Sequence, residues 1–386
     1  MKNNPDRFIL LGLLVLALVT RIPFRSQFLY HWDSVNFALS LEHYDVRLHQ
    51  PHPPGYFLYS MLGKVVNSVV HEANTSLVLI SLLGGALGIL AIYWLGLRLF
   101  NRKVAVIAAL LTLTSPMHWF QSEVALSYAL EFLLVTLVAG LCYLITQGEH
   151  NHWPLLAILL GVAGGIRQND LVFLLPLFLY ALYYLSWRQR IFSLALLGFV
   201  VLAWFIPMVT LSGNLPGYLA ALNSASDEIV SQSTLYDLTE FLTNASRMVV
   251  FVGYGLLLGG LFLIWGAYRL IRHGLDVLHD RRTQVIALWV LPSVFFYIFI
   301  HLRQPGHIFT FLPALLLITA FLIVDAAQWL SARLKFLSPL YGLTTAVLVV
   351  NILFFLFAPA QLLGSNRLTL QTPGWQSIHQ RDEYLG

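Results

Sequence analysis

Residues 76–97 read SLVLISLLGGALGILAIYWLGL, an unbroken apolar stretch without a charged side chain. A helix needs about 20 such residues to cross a bilayer, because no water there can satisfy its backbone groups. Working outward, we find ten more predominantly apolar runs, near residues 8–24, 104–118, 125–146, 154–167, 170–186, 191–211, 248–268, 283–300, 308–330 and 336–358. The sequence therefore predicts an all-α polytopic membrane protein with about eleven transmembrane helices (10–13). Counted along the chain, the third, fifth and sixth runs (104–118, 154–167 and 170–186) are short.

The composition excludes the soluble classes of protein. Of 386 residues, 58% are apolar and only 10% are charged, whereas soluble domains contain about 25% charged residues. Too few polar groups are present to cover a soluble surface, which excludes a soluble enzyme, a disordered regulator and a nucleic-acid-binding domain. Because Cys142 is the only cysteine, no intrachain disulfide can form. No internal repeat or linker is visible, so residues 1–386 are predicted to form a single transmembrane domain in a lipid bilayer.

The positions of Lys and Arg predict the orientation. If the N-terminus is cytoplasmic, thirteen of the 22 basic residues fall in short inner segments and the other nine on the outer side. The outer segments are a first loop (25–75), a middle loop (212–247), a short loop (301–307) and the C-terminal tail (359–386). They are rich in acids and histidines. We therefore expect a multi-pass protein of the cytoplasmic (inner) membrane whose active site is on the outer face.

The first outer loop predicts two helices that lie in the membrane interface. Asp33 stands where the first should begin, and apolar residues then recur at helical spacing as far as Glu42. A second amphipathic helix can begin after Pro53 and Pro54. Asp33 itself has two interpretations: an N-cap, worth about 1 kcal/mol, or a catalytic carboxylate.

The surroundings of Asp33 favour the catalytic interpretation, since titratable side chains are scarce elsewhere in the chain. Those that crowd this loop and its approach are Arg21, Arg25, His31, Glu42, Asp45, His49 and His52. Histidine is a common metal ligand, so a divalent metal is an alternative. However, the spacings match no strict zinc pattern, and we assign no metal ligand and no other cofactor.

Several motifs resemble those of the GT-C glycosyltransferases, and of the glycosyltransferase 39 type above all, which includes protein O-mannosyltransferases and the aminoarabinose transferase of lipid A. The most specific are Arg21-x-Pro23 at the end of the first run, Asp33, and His52-Pro53-Pro54-Gly55-Tyr56. Further similarity lies in 115–128, in the glycine-rich run 161–170 that contains Arg167, and in 303–313. One departure is Ser34, because many family members have a glutamate directly after the aspartate.

The resemblance implies a GT-C-type fold and a donor that carries its sugar on polyprenyl phosphate, with inversion at the anomeric carbon. The acceptor is left open among protein, lipid and glycan. On this basis Asp33 is the general base, and the donor phosphate is bound by Arg303, His307 and Arg167. The predicted substrate-binding residues are Glu123, Glu42, His52 and Arg21.

Structural alternatives remain for most of these residues. Arg303 could be an interfacial anchor, and Arg167 could pair with Asp170. Glu123 could cap the next helix, and Arg21 could be structural.

Two other classes of function also remain alternatives. A lipid-linked sugar flippase or transporter should show paired repeats and charges at mid-membrane, and we see no repeat. A polysaccharide polymerase or ligase would use basic outer loops, whereas the middle loop is acidic.

Overall fold

The computed structural model describes residues 5–230, 238–274, 279–333, 339–365 and 368–386. Over these residues the chain is almost entirely helical, and a short antiparallel hairpin pairs β1 (Leu363–Ser365) with β2 (Leu368–Leu370). The helices are α1 (Pro5–Arg21), α2 (Trp32–Glu42), α3 (Phe57–Val70), α4 (Ala73–Leu99), α5 (Arg102–Thr114), α6 (Pro116–Gln121), α7 (Tyr128–Thr146), α8 (Trp153–Ile166), α9 (Gln168–Tyr183), α10 (Trp187–Leu211), α11 (Asn214–Val230), α12 (Leu238–Leu256), α13 (Leu261–His273), α14 (Arg281–Phe299), α15 (Leu312–Ser331), α16 (Pro339–Phe357) and α17 (Trp375–Leu385). The predicted all-α class is confirmed.

All eleven predicted runs are helical, although 104–118 and 248–268 each extend over parts of two helices. The count of eleven spans is not confirmed. Eight candidate spans among the described residues are long and apolar enough to cross a membrane, and the longest joins α12 to α13. The three short runs became α5, α8 and α9, with 13, 14 and 16 residues. At 1.5 Å per residue, these helices rise only about 20–24 Å, which is less than the apolar thickness of a bilayer.

Helices α4 and α7 form the centre of the bundle, and most of each is buried. Gly84 permits their close approach, since a Cβ on it would lie 2.9 Å from the backbone of Leu130. Small residues serve this purpose in membrane helices. By contrast, most of α10 is exposed on the outside of the bundle, as expected of a helix that faces lipid.

The first loop contains the two predicted helices, α2 and α3. The rings of Phe37 and Tyr59 hold them together, with ring centroids 4.7 Å apart. The predicted middle loop contains α11 and the start of α12, while residues 231–237 lie outside the described part.

The C-terminal tail returns to the first loop. The carboxylate of Asp382 accepts hydrogen bonds from Ser26 Oγ (3.0 Å) and from the backbone N–H groups of Gln27 (2.9 Å) and Phe28 (3.3 Å). Trp375 packs edge-on against Phe24, with ring centroids 5.2 Å apart. The tail and the first loop are therefore at the same end of the bundle.

Candidate active site

Asp33 is in the first turn of α2, but it does not cap the helix. The N-cap is His31, whose Nδ1 accepts the backbone N–H of Asp33 at 3.1 Å. Ser34 Oγ completes the cap by accepting the backbone N–H of His31. The N-cap interpretation of Asp33 is therefore wrong, because the preceding histidine satisfies the helix end and leaves the Asp33 carboxylate available.

The two oxygens of Asp33 have different environments. Oδ2 accepts a hydrogen bond from Gln304 Nε2 at 2.9 Å. Oδ1 lies 3.8 Å from His52 Nδ1 and accepts no hydrogen bond from the described residues. The carboxylate is 14% exposed, so a reacting group can reach it. The Asp33 side chain thus offers one oxygen that is held and one that is free to accept a proton.

His52 reaches Asp33 from the His-Pro-Pro segment before α3. Its ring lies against Phe37 (5.6 Å between centroids) and Tyr56 (4.8 Å), which fixes it at the edge of the site. Burial lowers the pKa of His52, and the Asp33 carboxylate opposes this effect. The structure therefore brings together the two most specific residues of the first-loop motif.

Gln304 connects Asp33 to the core. Its Oε1 accepts the hydroxyl of Tyr128 at 3.0 Å, while its Nε2 donates to Asp33. A carboxylate can only accept in this arrangement, so the orientation of the amide follows from the network. The ring of Tyr128 lies under the guanidinium of Arg167, 4.3 Å from its centroid. Asp33 is thus held through a chain of polar contacts that ends at a buried arginine.

Arg167 is committed to other groups within the bundle. Its Nε pairs with Glu131 Oε2 at 2.9 Å, and its NH1 donates to Ser127 Oγ at 2.9 Å. Glu131 also accepts a hydrogen bond from Thr310 at 2.7 Å. Glu131, rather than Asp170, is therefore the ion-pair partner of Arg167.

Arg303 is the opposite case, because it is exposed and has no hydrogen bond or ion pair with the described residues. It lies close enough to Arg247 and His301 for their charges to interact. Burial and the charges of Arg303 and Arg247 lower the pKa of His301 to about 4. Arg247 donates to the carbonyl of Leu302 at 3.2 Å and so supports the loop from α12. The loop concentrates positive charge, and no described acid forms an ion pair with Arg247 or Arg303, although the charge of Glu240 acts on Arg247.

His307 stacks on Tyr297, with ring centroids 5.0 Å apart. Burial, followed by the charge of Arg167 and nearby histidines, holds the pKa of His307 well below its usual range. It is therefore a neutral hydrogen-bonding group at this site rather than a second cation.

Three predicted substrate-binding residues lie apart from Asp33. Arg21 is fully buried and donates to the carbonyl of Leu113 at 2.6 Å. Glu123 is also fully buried and faces the charge of Arg21. Glu42 is exposed at the end of α2, about 13 Å along the helix from Asp33. In this structure Arg21 and Glu123 belong to the core, and Glu42 to the surface.

A cavity of about 480 Å³ opens between the first loop, α6, the loop at Arg303 and the C-terminal tail. Gln304 lines it and holds Asp33 at its edge. The other residues that line it are Tyr30, His31, Met117, Phe120, Gln121, Leu126, Arg303, Pro305, Gln361, Gln371 and Pro373. Pockets of this size accommodate small ligands.

Metal-ligating side chains do not form a group of three or more in the described part of the chain. With Glu123 buried in the core, Asp33 has no second acid in contact, and we therefore derive no step through a metal.

Sequence reasoning missed the glutamines of the cavity and Arg247. A usable signal existed, because Gln304, Gln361 and Gln371 stand in the predicted outer segments, and Gln121 stands between two apolar runs, in a chain with few polar residues. What the sequence lacked was the spatial proximity of the tail to the first loop.

Solved structures of other proteins have a similar architecture. Crystallised ArnT from Cupriavidus metallidurans, bound to undecaprenyl phosphate, superposes with a TM-score of 0.62 at 15% identity over 95% of this chain and 67% of that one. This protein has the GT-C glycosyltransferase fold. The GT-C resemblance seen in the sequence is thereby confirmed.

Other matches agree with the GT-C fold. Residues 51–210 match the family model described as dolichyl-phosphate-mannose-protein mannosyltransferase, which covers less than half of the chain. The Archaeoglobus fulgidus oligosaccharyltransferase tethered to an acceptor peptide matches with a TM-score of 0.53 at 14% identity, over 99% of this chain and 55% of that one. The chain thus spans about two thirds of ArnT and just over half of the oligosaccharyltransferase. No curated protein matches the sequence.

Proposed function

We propose that this protein is a membrane glycosyltransferase that moves a sugar from polyprenyl phosphate to an acceptor hydroxyl, with inversion. The observation that carries the proposal is a single juxtaposition. Gln304 holds the Asp33 carboxylate, and the neighbouring residue is the unpaired cation Arg303. A base for the acceptor and a cation for the leaving group thus stand at one cavity.

The chemistry follows from these two groups. The acceptor oxygen attacks the anomeric carbon from the side opposite the phosphate, and its proton passes to Asp33 Oδ1. The bond between the anomeric carbon and the phosphate oxygen breaks with its electron pair, which releases polyprenyl phosphate. Asp33 later returns the proton to solvent. General-base assistance of this kind contributes about 10²–10⁴-fold to the rate.

Arg303 stabilises the departing phosphate. Its planar guanidinium can hold two phosphate oxygens at once, and charge that develops on the leaving group is stabilised best by a donor already in place. His307, in its neutral form, can add one hydrogen bond. Arg167 acts differently, since its charge is already paired and it orients Gln304 through Tyr128.

Support for a polyprenyl-phosphate donor comes from ArnT, which was crystallised with undecaprenyl phosphate. The short loop of Arg303 opens directly onto α15, so a polyprenyl tail can lie along lipid-facing helices while its phosphate meets the guanidinium.

The test is transfer from a radiolabelled undecaprenyl-phosphate sugar by the purified protein, with free undecaprenyl phosphate as the readout. Asp33→Asn keeps the shape of the side chain but removes the base, so turnover should fall at least about 10²-fold. Asp227→Asn, which changes an exposed acid of α11, is the matched control. Activity of Asp33→Asn within about threefold of the parent would refute the role of the base.

The same assay separates the alternatives. A flippase would move the labelled lipid across a vesicle without releasing undecaprenyl phosphate. A polymerase or ligase would join preformed glycans rather than single sugars from the lipid.

We further propose that the site faces the outer side of the inner membrane and that the N-terminus is cytoplasmic. His43 and Ser331 are exposed at opposite ends of the predicted topology. An impermeant maleimide should label His43→Cys but not Ser331→Cys in intact spheroplasts. Cys142 is buried and gives little background. The reverse labelling pattern would invert the topology.

A further inference from the structure

The cavity beside Asp33 is lined by groups suited to a particular class of ligand. Four of its lining residues are glutamines: Gln121, Gln304, Gln361 and Gln371. A primary amide offers both donors and an acceptor, and sugar hydroxyls do the same. This match distinguishes the part of the cavity that the glutamines line from its cationic side at Arg303, where we propose that the phosphate binds.

One of these amides lacks a partner that its environment requires. Gln121 is only 3% exposed, and its Oε1 has no hydrogen-bond donor among the residues that the structure describes. Buried polar atoms are almost always satisfied. A hydroxyl of a bound molecule in the cavity would supply the missing donor.

The remaining walls are apolar or aromatic. Tyr30 and Phe120 both line the cavity and meet edge to face, with ring centroids 5.1 Å apart. Such walls can pack against the C–H groups of a sugar ring while the amides bind its hydroxyls.

The charges of the lining residues favour a neutral sugar over an amino sugar. No acid is among the residues known to line the cavity, and Arg303 is one of them. An ammonium group would therefore meet a like charge at Arg303, with no carboxylate among the described lining residues to neutralise it. A neutral sugar is not repelled by Arg303 and needs no carboxylate to neutralise it.

The C-terminal tail supplies part of this lining. Gln371 Oε1 accepts the hydroxyl of Tyr30 at 2.8 Å, which leaves its NH₂ group for a ligand. Asp382 fastens the same tail to the backbone at Gln27 and Phe28.

We propose that this cavity binds the transferred sugar as an uncharged ring, and that the tail, through Gln361 and Gln371, selects which sugar fits. The proposal rests on the proposed function and deepens it. It assigns to the tail a binding role that the transfer chemistry does not require.

The test is equilibrium binding to the full chain in lipid nanodiscs. The probes are undecaprenyl phosphate alone, its conjugates with glucose, mannose and galactose, and its conjugate with a 4-amino pentose. At least one neutral conjugate should bind about tenfold more tightly than the amino-sugar conjugate. Gln371→Leu should weaken that neutral conjugate about 2- to 12-fold, as expected for one lost hydrogen bond, and leave undecaprenyl phosphate unchanged.

Two further variants separate recognition from structure. Gln376→Leu changes a glutamine of α17 that bonds the carbonyl of Leu356 and does not line the cavity, so binding should be unchanged. Tyr30→Phe breaks the same internal bond as Gln371→Leu but keeps the amide. If Tyr30→Phe reproduces the full loss, the tail only needs to be attached, and the proposed contact is wrong.

The outcomes also separate the two proposals. Failure of undecaprenyl phosphate itself to bind would overturn both. Binding of undecaprenyl phosphate with equal affinities for neutral and amino-sugar conjugates would overturn the sugar site alone.

Discussion

Arg167 and Arg303 were predicted to serve the same purpose, yet they occupy opposite environments. Arg167 is buried, pairs with Glu131 at 2.9 Å and lies over Tyr128. Arg303 is exposed at the cavity and has no partner among the described residues. One cation is already neutralised by the fold, while the other is available to an incoming anion.

The comparison teaches that charge type and approximate position do not define a phosphate site. A guanidinium that has an internal carboxylate contributes to the stability and orientation of its neighbours. A guanidinium that lacks one is available for a ligand. The predictions below separate these two roles experimentally.

The largest effect is expected when Arg167 is removed. Arg167→Ala leaves Glu131 buried without its counter-charge, which typically costs about 3–5 kcal/mol of stability. The unfolding free energy in detergent micelles measures this. Arg303→Ala, as the control, should change it by less than about 0.5 kcal/mol, because the side chain is on the surface. Equal stability of the two variants would remove the distinction.

Removal of Arg303 should affect the donor rather than the fold. Charge-assisted hydrogen bonds are worth about 1.5–3 kcal/mol, so Arg303→Ala should lower kcat/KM for the donor about 10- to 150-fold. Arg303→Lys should lose less, since it keeps the charge but not the planar fork. The KM of the acceptor should change little.

Donor kinetics at saturating acceptor provide the measurement. Near-parental values for both variants would mean that Arg303 is only an interfacial anchor. In that case, a phosphate site would have to be sought at Arg247 or Arg167.

The smallest effect concerns the pKa of His301, which burial and then Arg303 lower to about 4. An unfolded chain binds this proton near pH 6.5, so His301 makes folding less favourable as the pH falls from about 6.5 towards 4. Arg303→Ala should raise the pKa of His301, while Arg167→Ala should leave it unchanged. Histidine NMR titration of the two variants tests this, and a shift in the Arg167 variant alone would contradict it.

The sequence predicted the helices well, because long apolar runs and the helices of the first loop depend on local pattern. It also brought Asp33 and His52 together through a recognisable motif. The sequence could not show that Glu123 is buried whereas Glu42 is exposed, because the local pattern around an acid does not reveal its solvent exposure. Nor could it predict that residues 371 and 382 meet residues 26–30, because nothing in a linear pattern encodes contacts between distant segments. The N-cap interpretation of Asp33 was wrong for a local reason. His31 and Asp33 both stand near the start of α2, and the sequence does not show which of them accepts the first backbone N–H groups.

The attachment of the tail at Ser26, Gln27 and Phe28 has a consequence for biosynthesis. Gln361 and Gln371, which form one wall of the cavity, are synthesised after the helices α1–α16. During synthesis, the first loop therefore lacks its contacts with the tail until residues 361–382 have emerged. A chain cut after α16 would contain Asp33 and Arg303 but would lack Gln361 and Gln371, the wall of the cavity that the tail supplies.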